Sequence, residues 1–548
     1  MLSQFFLQNL HFAVNILAAM VFSWCFWLYF DVWLARKRMD EALKFLGFLF
    51  LTVSFVIHAV HLESTITEQI INELAYERIL ITTRLGGYLL IAISLFLEPS
   101  LSHPHKNKEQ RIKDKVQSRN GELQGVSGAL MISMFGAQIP GYVAASMFFP
   151  LAGVSVALLY LYKSTYGLEF HLRRVAYAFF ILSLFELISL RELFIGNSNV
   201  SVFKLAAPFA SLWTLEHLTL FIGVLILGKW VFSYLLKRLQ TQLYIFFSLA
   251  ILFIFVISTL SFTWLLLGNV QKEAENQLET SVKVLEYALD TRKSELLSDA
   301  QVFAQDAKVT DAISADQKPQ LANLASEYLL TKKLSFLTVV NENGQVVARG
   351  EEPERIGDSL SSNTLIKRSL LSESNFSVMS RDGVLAPDVF VSASAPVKKD
   401  NEVIGAVWVG VVTDNAFVDG IYKATGLNAS IYGEDKISAT SLVGEDGSSR
   451  RVGVIESNSE IKEQVLGKGE GFTGTTNFLN TPYFVSYLPL KDLDNTPVGM
   501  LSVGKPQVTI LATAGRSIQG SFIVAGILWL LAILPSYLIS SYISKQLK

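Results

Sequence analysis

Six ionisable residues sit inside long apolar stretches: His58, His61, Arg84, Glu186, Glu216 and His217. A charge held in hydrocarbon is costly, so each marks a functional site or is paired with another. His58 and His61 are three apart, which predicts one shared helix face. Imidazoles in such a setting can ligate a haem or a metal ion or pass protons, and carboxylates and a guanidinium can join the proton path. The alternative is an interhelical set of salt bridges and hydrogen bonds. The spacing matches no metal-binding motif, so no cofactor is expected from it. His103 and His105, in a basic loop, read as solvated residues.

A second group lies in the polar stretch 268–517. Arg349, Lys367, Arg368 and Arg381 have the chemistry to grip a carboxylate or phosphate. On the run 389–396, alternation puts Phe390, Ser392 and Ser394 on one face, a face suited to hydrogen bonding. Trp408 would supply an apolar floor, and Tyr432, Tyr483 and Tyr487 comparable parts further on. The plainer readings are exposed charges for the basic residues and simple core for Trp408. This stretch holds neither histidine nor cysteine, so nucleophilic Ser/His or Cys/His chemistry is impossible within it. No phosphate-binding loop or dinucleotide fingerprint occurs in the chain. Binding is expected here, and enzymatic activity is not.

These residues need elements to hold them. The 548 residues are 51% hydrophobic and 17% charged, with a mean hydropathy of +0.38; that balance points to a polytopic α-helical membrane protein. The net charge of −2 gives no field favouring nucleic acid. The lone cysteine, Cys25, excludes a disulfide framework. Stretches long enough to span about 30 Å of hydrocarbon occur at 12–34, 45–62, 79–97, 175–190, 205–227, 243–267 and 518–543, and 126–162 is twice that length.

Basic residues at 36–44, 106–119, 163–174 and 229–238 predict cytoplasmic connections, whereas Glu63, Glu68, Glu73 and Glu77 predict an external one. Parity then requires 126–162 either to cross twice, turning near Gly136–Gly141, or to form a re-entrant hairpin; two crossings are expected. The count is about nine spans in the cell membrane, with the N-terminus and the 268–517 module outside and Lys545 inside. The expected division is 1–240, a span at 241–268, a helical stalk at 269–333, lobes at 334–426 and 427–517, and a final span at 518–548.

Within the module, apolar residues at Leu278, Val282, Leu285, Leu289, Leu296, Ala300 and Phe303 fall in steps of three, four and seven and predict a long amphipathic helix. A weak spot at 310–318 precedes Pro319, well placed to open a second helix. Asn343-Gly344 between apolar alternations predicts a hairpin. Two units then follow in the same order, strands, a helical stretch and three more strands, closing on VIGAVWVGV (403–411) and on PVGMLSVGK (497–505). The module is therefore α+β and doubled.

The quoted strands, NENGQVVARG, IGAVWVGVVTDNAFVDGIYKATGLNASIYGEDKISATS, NTPYFVSYLPLKD and VGMLSVGKP resemble the extracytoplasmic double Cache sensor domains, two PAS-like lobes on a long N-terminal helix. The resemblance covers about 270–506 and does not extend to the N-terminal spans. It implies a receptor that binds a small molecule between the sheet and capping loops of one lobe. The Tyr-Arg-Trp-Tyr-Asp amino-acid signature of one Cache subgroup has no counterpart, which leaves the ligand class open. Such receptors usually continue into an output domain, and the sequence ends at Lys548 without one. The expected partners are membrane lipid, a small ligand, and a second copy or a membrane protein; nucleic acid is not among them. The rival reading makes the N-terminal spans a carrier or a haem or redox protein, or the chain an interaction subunit of a larger membrane assembly.

Overall fold

Stretches too apolar for water and too long for a globular core become helices, since only a helix satisfies its own backbone in lipid. The computed structural model describes residues 2–63, 69–98, 145–166, 169–194, 200–444, 449–478 and 481–546. They fall into two units, 1–268 with 511–548, and 269–510. The first holds α1 (Leu2–Arg36), α2 (Met39–Ala59), α3 (Glu73–Leu97), α4 (Phe148–Tyr166), α5 (Arg173–Ser189), α6 (Val200–Ala206) and α7 (Ser211–Leu235). It also holds the first part of α8 (Leu239–Ala304) and most of the last helix, Gln507–Gln546.

Seven described helices are long and apolar enough to cross a membrane. α5, at 17 residues, coincides with the expected span at 175–190. The remaining expected crossing, in 126–147, falls mostly outside the described residues.

The helices pack in a ring: α1 on α2, α2 on α3, α3 on α4, α4 on α5, α5 on α7, and α7 back on α1. Small residues set the closest of these contacts. A Cβ on Gly47 would lie 2.9 Å from the Gly87 carbonyl oxygen, so α2 and α3 meet backbone to backbone there. α8 is tied to α1 by hydrogen bonds from Asn9 to Thr263 (2.9 Å) and from Trp24 to Ser248 (3.1 Å). The final helix joins α1 through the stacked rings of Phe12 and Phe522, 4.6 Å apart. It also joins the α2–α3 connection, where Gln519 accepts from the Ile70 N–H (2.7 Å) and donates to the Val60 carbonyl (3.3 Å). Trp27 of α1 touches both, with Tyr537 4.0 Å and Tyr244 5.8 Å from its ring.

The second unit begins on α8, which continues to Ala304 without a break. α9 (Ala307–Ser314) occupies part of the stretch expected to be weak, and α10 (Lys318–Lys332) opens with Pro319 in its first turn, as the sequence predicts. β1 (Phe336–Asn341), β2 (Val346–Arg349), α11 (Thr364–Leu370), β3 (Asn375–Arg381), β4 (Asp388–Lys399) and β5 (Glu402–Val412) make the first lobe. α12 (Asn415–Thr425) leads to the second: β6 (Asn428–Gly433), β7 (Lys436–Thr440), α13 (Ser459–Lys462), β8 (Phe472–Phe478), β9 (Thr481–Lys491) and β10 (Pro497–Pro506). The final helix is α14.

The sheet orders are β2-β1-β5-β4-β3 and β7-β6-β10-β9-β8, the same topology twice, antiparallel throughout. Gly344 turns the β1–β2 hairpin at φ +75°. Between β7 and α13 the described residues form only isolated bridges, Lys436 to Ile455 and Val443 to Arg450, and Gly453 turns the chain at φ +83°.

One face of each sheet enters a shared core with the apolar stripe of α8. Leu278, Val282, Leu285, Leu289, Leu296 and Phe303 are buried with Val391, Ala393 and Val409 of the first sheet and Ile431, Leu501 and Val503 of the second. Leu285 is fully buried. Leu285→Ala removes three methylene-sized groups from this core, so a loss of about 2–5 kcal/mol is expected, read as a lowered urea midpoint of residues 269–510 with an unchanged slope.

Candidate functional site

The opposite face of the first sheet is different in kind. Strand register lines up Arg349, Thr338, Trp408, Ser394 and Asn375 as one row across all five strands. Ser377, Ser392, Gly410 and Phe336 form the row beside it. The Phe336 ring covers Gly410, where a Cβ would meet it at 2.3 Å, and it touches Trp408 (4.6 Å) and Phe390 (5.9 Å). α11 lies over β3, β4 and β5 on this lobe, and its Ile366 packs with Val340, Val346, Ala406 and Trp408. The result is a polar and aromatic face roofed by a short helix.

Ser392 and Ser394 are fully buried. Ser394 donates to the Val407 carbonyl at 2.9 Å, and Ser392 reaches the Ser377 carbonyl only at 3.5 Å. Trp408 Nε1 and the Oγ of Ser369, a buried α11 residue, have no protein partner. Buried donors in that state are where a ligand acceptor gains most.

Arg349 is buried and ties down the segment after β2, donating to Asp358 (2.7 Å) and to the Arg355 carbonyl (3.2 Å). The guanidinium holds the Asp358 carboxyl below the usual carboxylate range. Arg381 stands at the rim, exposed, over the Phe390 ring at 4.9 Å and 3.8 Å from Asp388. Lys367 is exposed on α11 and is not brought to the row. Arg368 pairs instead with Asp494 of the second lobe (3.1 Å). The basic residues expected to converge are thus dispersed: only Arg349 is held inside, and a carboxylate already faces it. Thr338, Asn375 and Ser369 were not singled out in the sequence; alternation along β1 from Phe336 would have found Thr338.

In the second lobe the corresponding face is closed on itself. Tyr432 and Tyr487 lie 3.4 Å apart, oxygen to oxygen, and Tyr487 donates to Glu456 at 2.6 Å. Both tyrosines are buried, and burial pushes their hydroxyls up, so they stay protonated. Tyr483 is half-buried against Phe478. A cleft of about 300 Å³ opens beside this set, lined by Ser457, Asn458, Thr475, Thr476, Asn477 and Pro482. Another of about 340 Å³ lies at the α9–α10 turn, bordered by Asp316, Lys318, Asn341 and Glu342.

In the membrane unit the expected polar residues sort into two clusters. Arg84 donates to Ser54 (3.0 Å) and lies 3.5 Å from Glu186, which also accepts from Tyr88 (2.9 Å). The other cluster gathers around Arg191, which binds Glu63 and donates to Glu216 at 2.6 Å. His217 meets His11 (2.8 Å), and His11 lies 3.0 Å from Glu63. His11, Glu63 and Arg191 were not expected in this role; Glu63 reads in sequence as a loop charge.

His58 pairs with Tyr76 (2.8 Å), and His61 stacks on the same ring. α2 ends at Ala59 and His61 lies in the turn beyond it, and both imidazoles are turned to the same side, toward Tyr76. The His11 ring is 4.9 Å from that of His58 and 5.1 Å from that of His217.

Two sheets of one topology, each with a covered second face and both resting on one long helix, define a tandem sensory module. Residues 271–510 match the dCache_3 family, the double sensory domain of two-component sensor kinase, and this part of the chain is a double Cache sensory domain. Solved structures similar to it include the periplasmic domain of Vibrio cholerae LuxQ (13% identity, 41% of this chain and 98% of that one, TM-score 0.30). The V. cholerae histidine kinase DctB sensor domain is another (13%, 43% and 96%, TM-score 0.29). A third is the sensory domain of the Campylobacter jejuni chemoreceptor Tlp3, solved with isoleucine bound (14%, 45% and 96%, TM-score 0.30). No curated protein matches the chain.

Because the folded-state pKa of Asp358 is depressed, its contribution is present above the ordinary carboxylate value, about 3.9, and is lost as pH falls through the depressed one. The melting temperature of wild-type 269–510 is expected to exceed that of Arg349→Met at pH 7. The difference should shrink below about pH 4; a gap that holds constant to pH 2 would rule out the ion pair as its source.

Proposed function

We propose that this protein is a multi-span receptor of the cell membrane that reads a small extracytoplasmic ligand through the first Cache lobe. It works by binding and conformational change and not by covalent chemistry. The observation that carries the reading is the roofed face of the first sheet, where Trp408 Nε1, in the strand row with Thr338 and Ser394, and Ser369 Oγ of the covering helix are buried without partners. That donor set suits a compact ligand with acceptor oxygens and an apolar part to lie on Phe336, Phe390 and Trp408. Arg349 would reach it only by releasing Asp358, which gives the site two arrangements of the 350–361 segment. A ligand that prefers one of them shifts the balance by its difference in affinity.

The signal would travel along α8, a single unbroken helix from Leu239 to Ala304, and leave through α14 or the N-terminal ring to a second copy, a membrane partner or an output domain. About nine spans, with both the N-terminus and the Cache domain outside, agree with the distribution of basic connections. Cys25 is buried, so introduced cysteines can be read alone. Tyr287→Cys is expected to react with a membrane-impermeant maleimide in intact cells and Arg238→Cys only after lysis; the reverse pattern would invert the topology.

Trp408 is the one tryptophan between residues 269 and 510, so its fluorescence reports this face directly. In a screen of small metabolites against residues 269–510, at least one compound is expected to raise the melting temperature and shift Trp408 emission. Thr338→Val and Ser394→Ala should each weaken it about 5- to 30-fold, the equivalent of about 1–2 kcal/mol for a lost hydrogen bond. A compound that binds with Trp408 emission unchanged would move the site to another part of the domain. If no compound in a broad set acts on either readout, ligand sensing by this lobe fails.

A further inference from the structure

In the membrane ring, three potential ligand atoms converge from three elements: His11 Nδ1 on α1, Glu63 Oε1 in the α2–α3 connection, and His217 Nε2 on α7. They are separated by 2.8 Å (His11 to His217), 3.0 Å (His11 to Glu63) and 4.0 Å (His217 to Glu63). All three residues are at least nine-tenths buried, and no hydrogen bond satisfies Glu63 Oε1. A point equidistant from these three atoms lies roughly 2 Å from each, the usual length of a Zn–N or Zn–O bond.

The outer nitrogens fix the protons. His11 Nε2 lies 2.8 Å from the His58 carbonyl oxygen, and His217 Nδ1 lies 2.9 Å from that of Trp213. A carbonyl can only accept, so each of these nitrogens carries the hydrogen. With both rings neutral the inward nitrogens are lone pairs pointed at each other and at a carboxylate oxygen, a repulsion that either a second proton on His11 or a metal ion would relieve. Moving the His11 proton inward would set a bare Nε2 against the His58 carbonyl, which is no better. The Asn15 amide nitrogen donates one hydrogen to the His11 carbonyl (2.9 Å) and has a second for His11 Nδ1 (3.3 Å), which leaves His217 Nε2 and Glu63 Oε1 still facing it without a donor of their own. Charge balance points the same way. Arg191 is one cation between Glu63 and Glu216, so with neutral histidines the buried group carries one uncompensated negative charge, which is costly in hydrocarbon.

We propose that His11, Glu63 and His217 bind a divalent first-row transition ion of the zinc or iron class. Two imidazoles and a carboxylate form the donor set, and the backbone carbonyls orient both rings from behind. Arg191 holds the other oxygen of Glu63 and so aims Oε1 at the ion. The ion ties α1 and α7 to the α2–α3 connection, the same connection that grips Gln519 of α14.

The test is metal analysis of the full-length protein, purified in detergent without chelator and then exposed to Zn2+ or Co2+. On the order of one ion per chain is expected, with a raised melting temperature and the visible absorption of low-symmetry cobalt. His11→Gln and His217→Gln should each reduce the bound ion at least tenfold, whereas His58→Gln, a neighbour whose ring faces Tyr76, should retain it. Retention in the His58 variant separates loss of a ligand from misfolding. If the wild type takes up neither ion and its melting temperature does not respond, the space between the three atoms holds a proton shared with His11, and the metal site is refuted. Metal that persists in both the His11 and His217 variants refutes it equally.

Discussion

Both sheets of the sensory domain bury one face against the same apolar stripe on α8. Leu278 to Phe303 supply one wall of a core whose other wall comes from β-strands further along the chain, from Leu337 to Val503. This constraint decides which face of each sheet is left for other work. Val391, Ala393 and Val409 must point toward the helix, so Ser392, Ser394 and Trp408 must point away. The polar row under α11 follows from the helix that lies on the opposite side of the sheet.

The two lobes share a topology and differ in what that free face carries. In the second lobe, tyrosines and Glu456 satisfy one another, and Ile461 and Val465 fill the rest. In the first, the Trp408 indole and the Ser369 hydroxyl of the covering helix are buried with partners missing. Repetition built the scaffold twice, and side-chain chemistry gave the copies different interiors.

Most of the architecture is legible in the sequence because it rests on periodicity. The apolar runs, the three-and-four stripe of α8, the Asn343-Gly344 turn and the doubled strand order are all local patterns, and the elements form where they fall. The sites are less legible because they depend on register and long-range approach. Ser394 and Trp408 can be named from alternation, but their alignment with Thr338 and Asn375 is fixed only by how four strands pair. Lys367 and Arg368 read as ligand-gripping charges, and a turn of helix sends one to solvent and the other to Asp494. The membrane cluster is the extreme case: His11, Glu63, Arg191 and His217 are scattered over 200 residues, and nothing local links them. Glu63 looks like an external charge because its partner Arg191 is 128 residues away.

Trp27 lies between two aromatic side chains, Tyr244 on the helix that enters the sensory domain and Tyr537 on the helix that leaves it. A single indole of the N-terminal ring is therefore packed against both helices that carry the sensory domain, so neither can slide along its axis without disturbing an aromatic contact made by that one side chain.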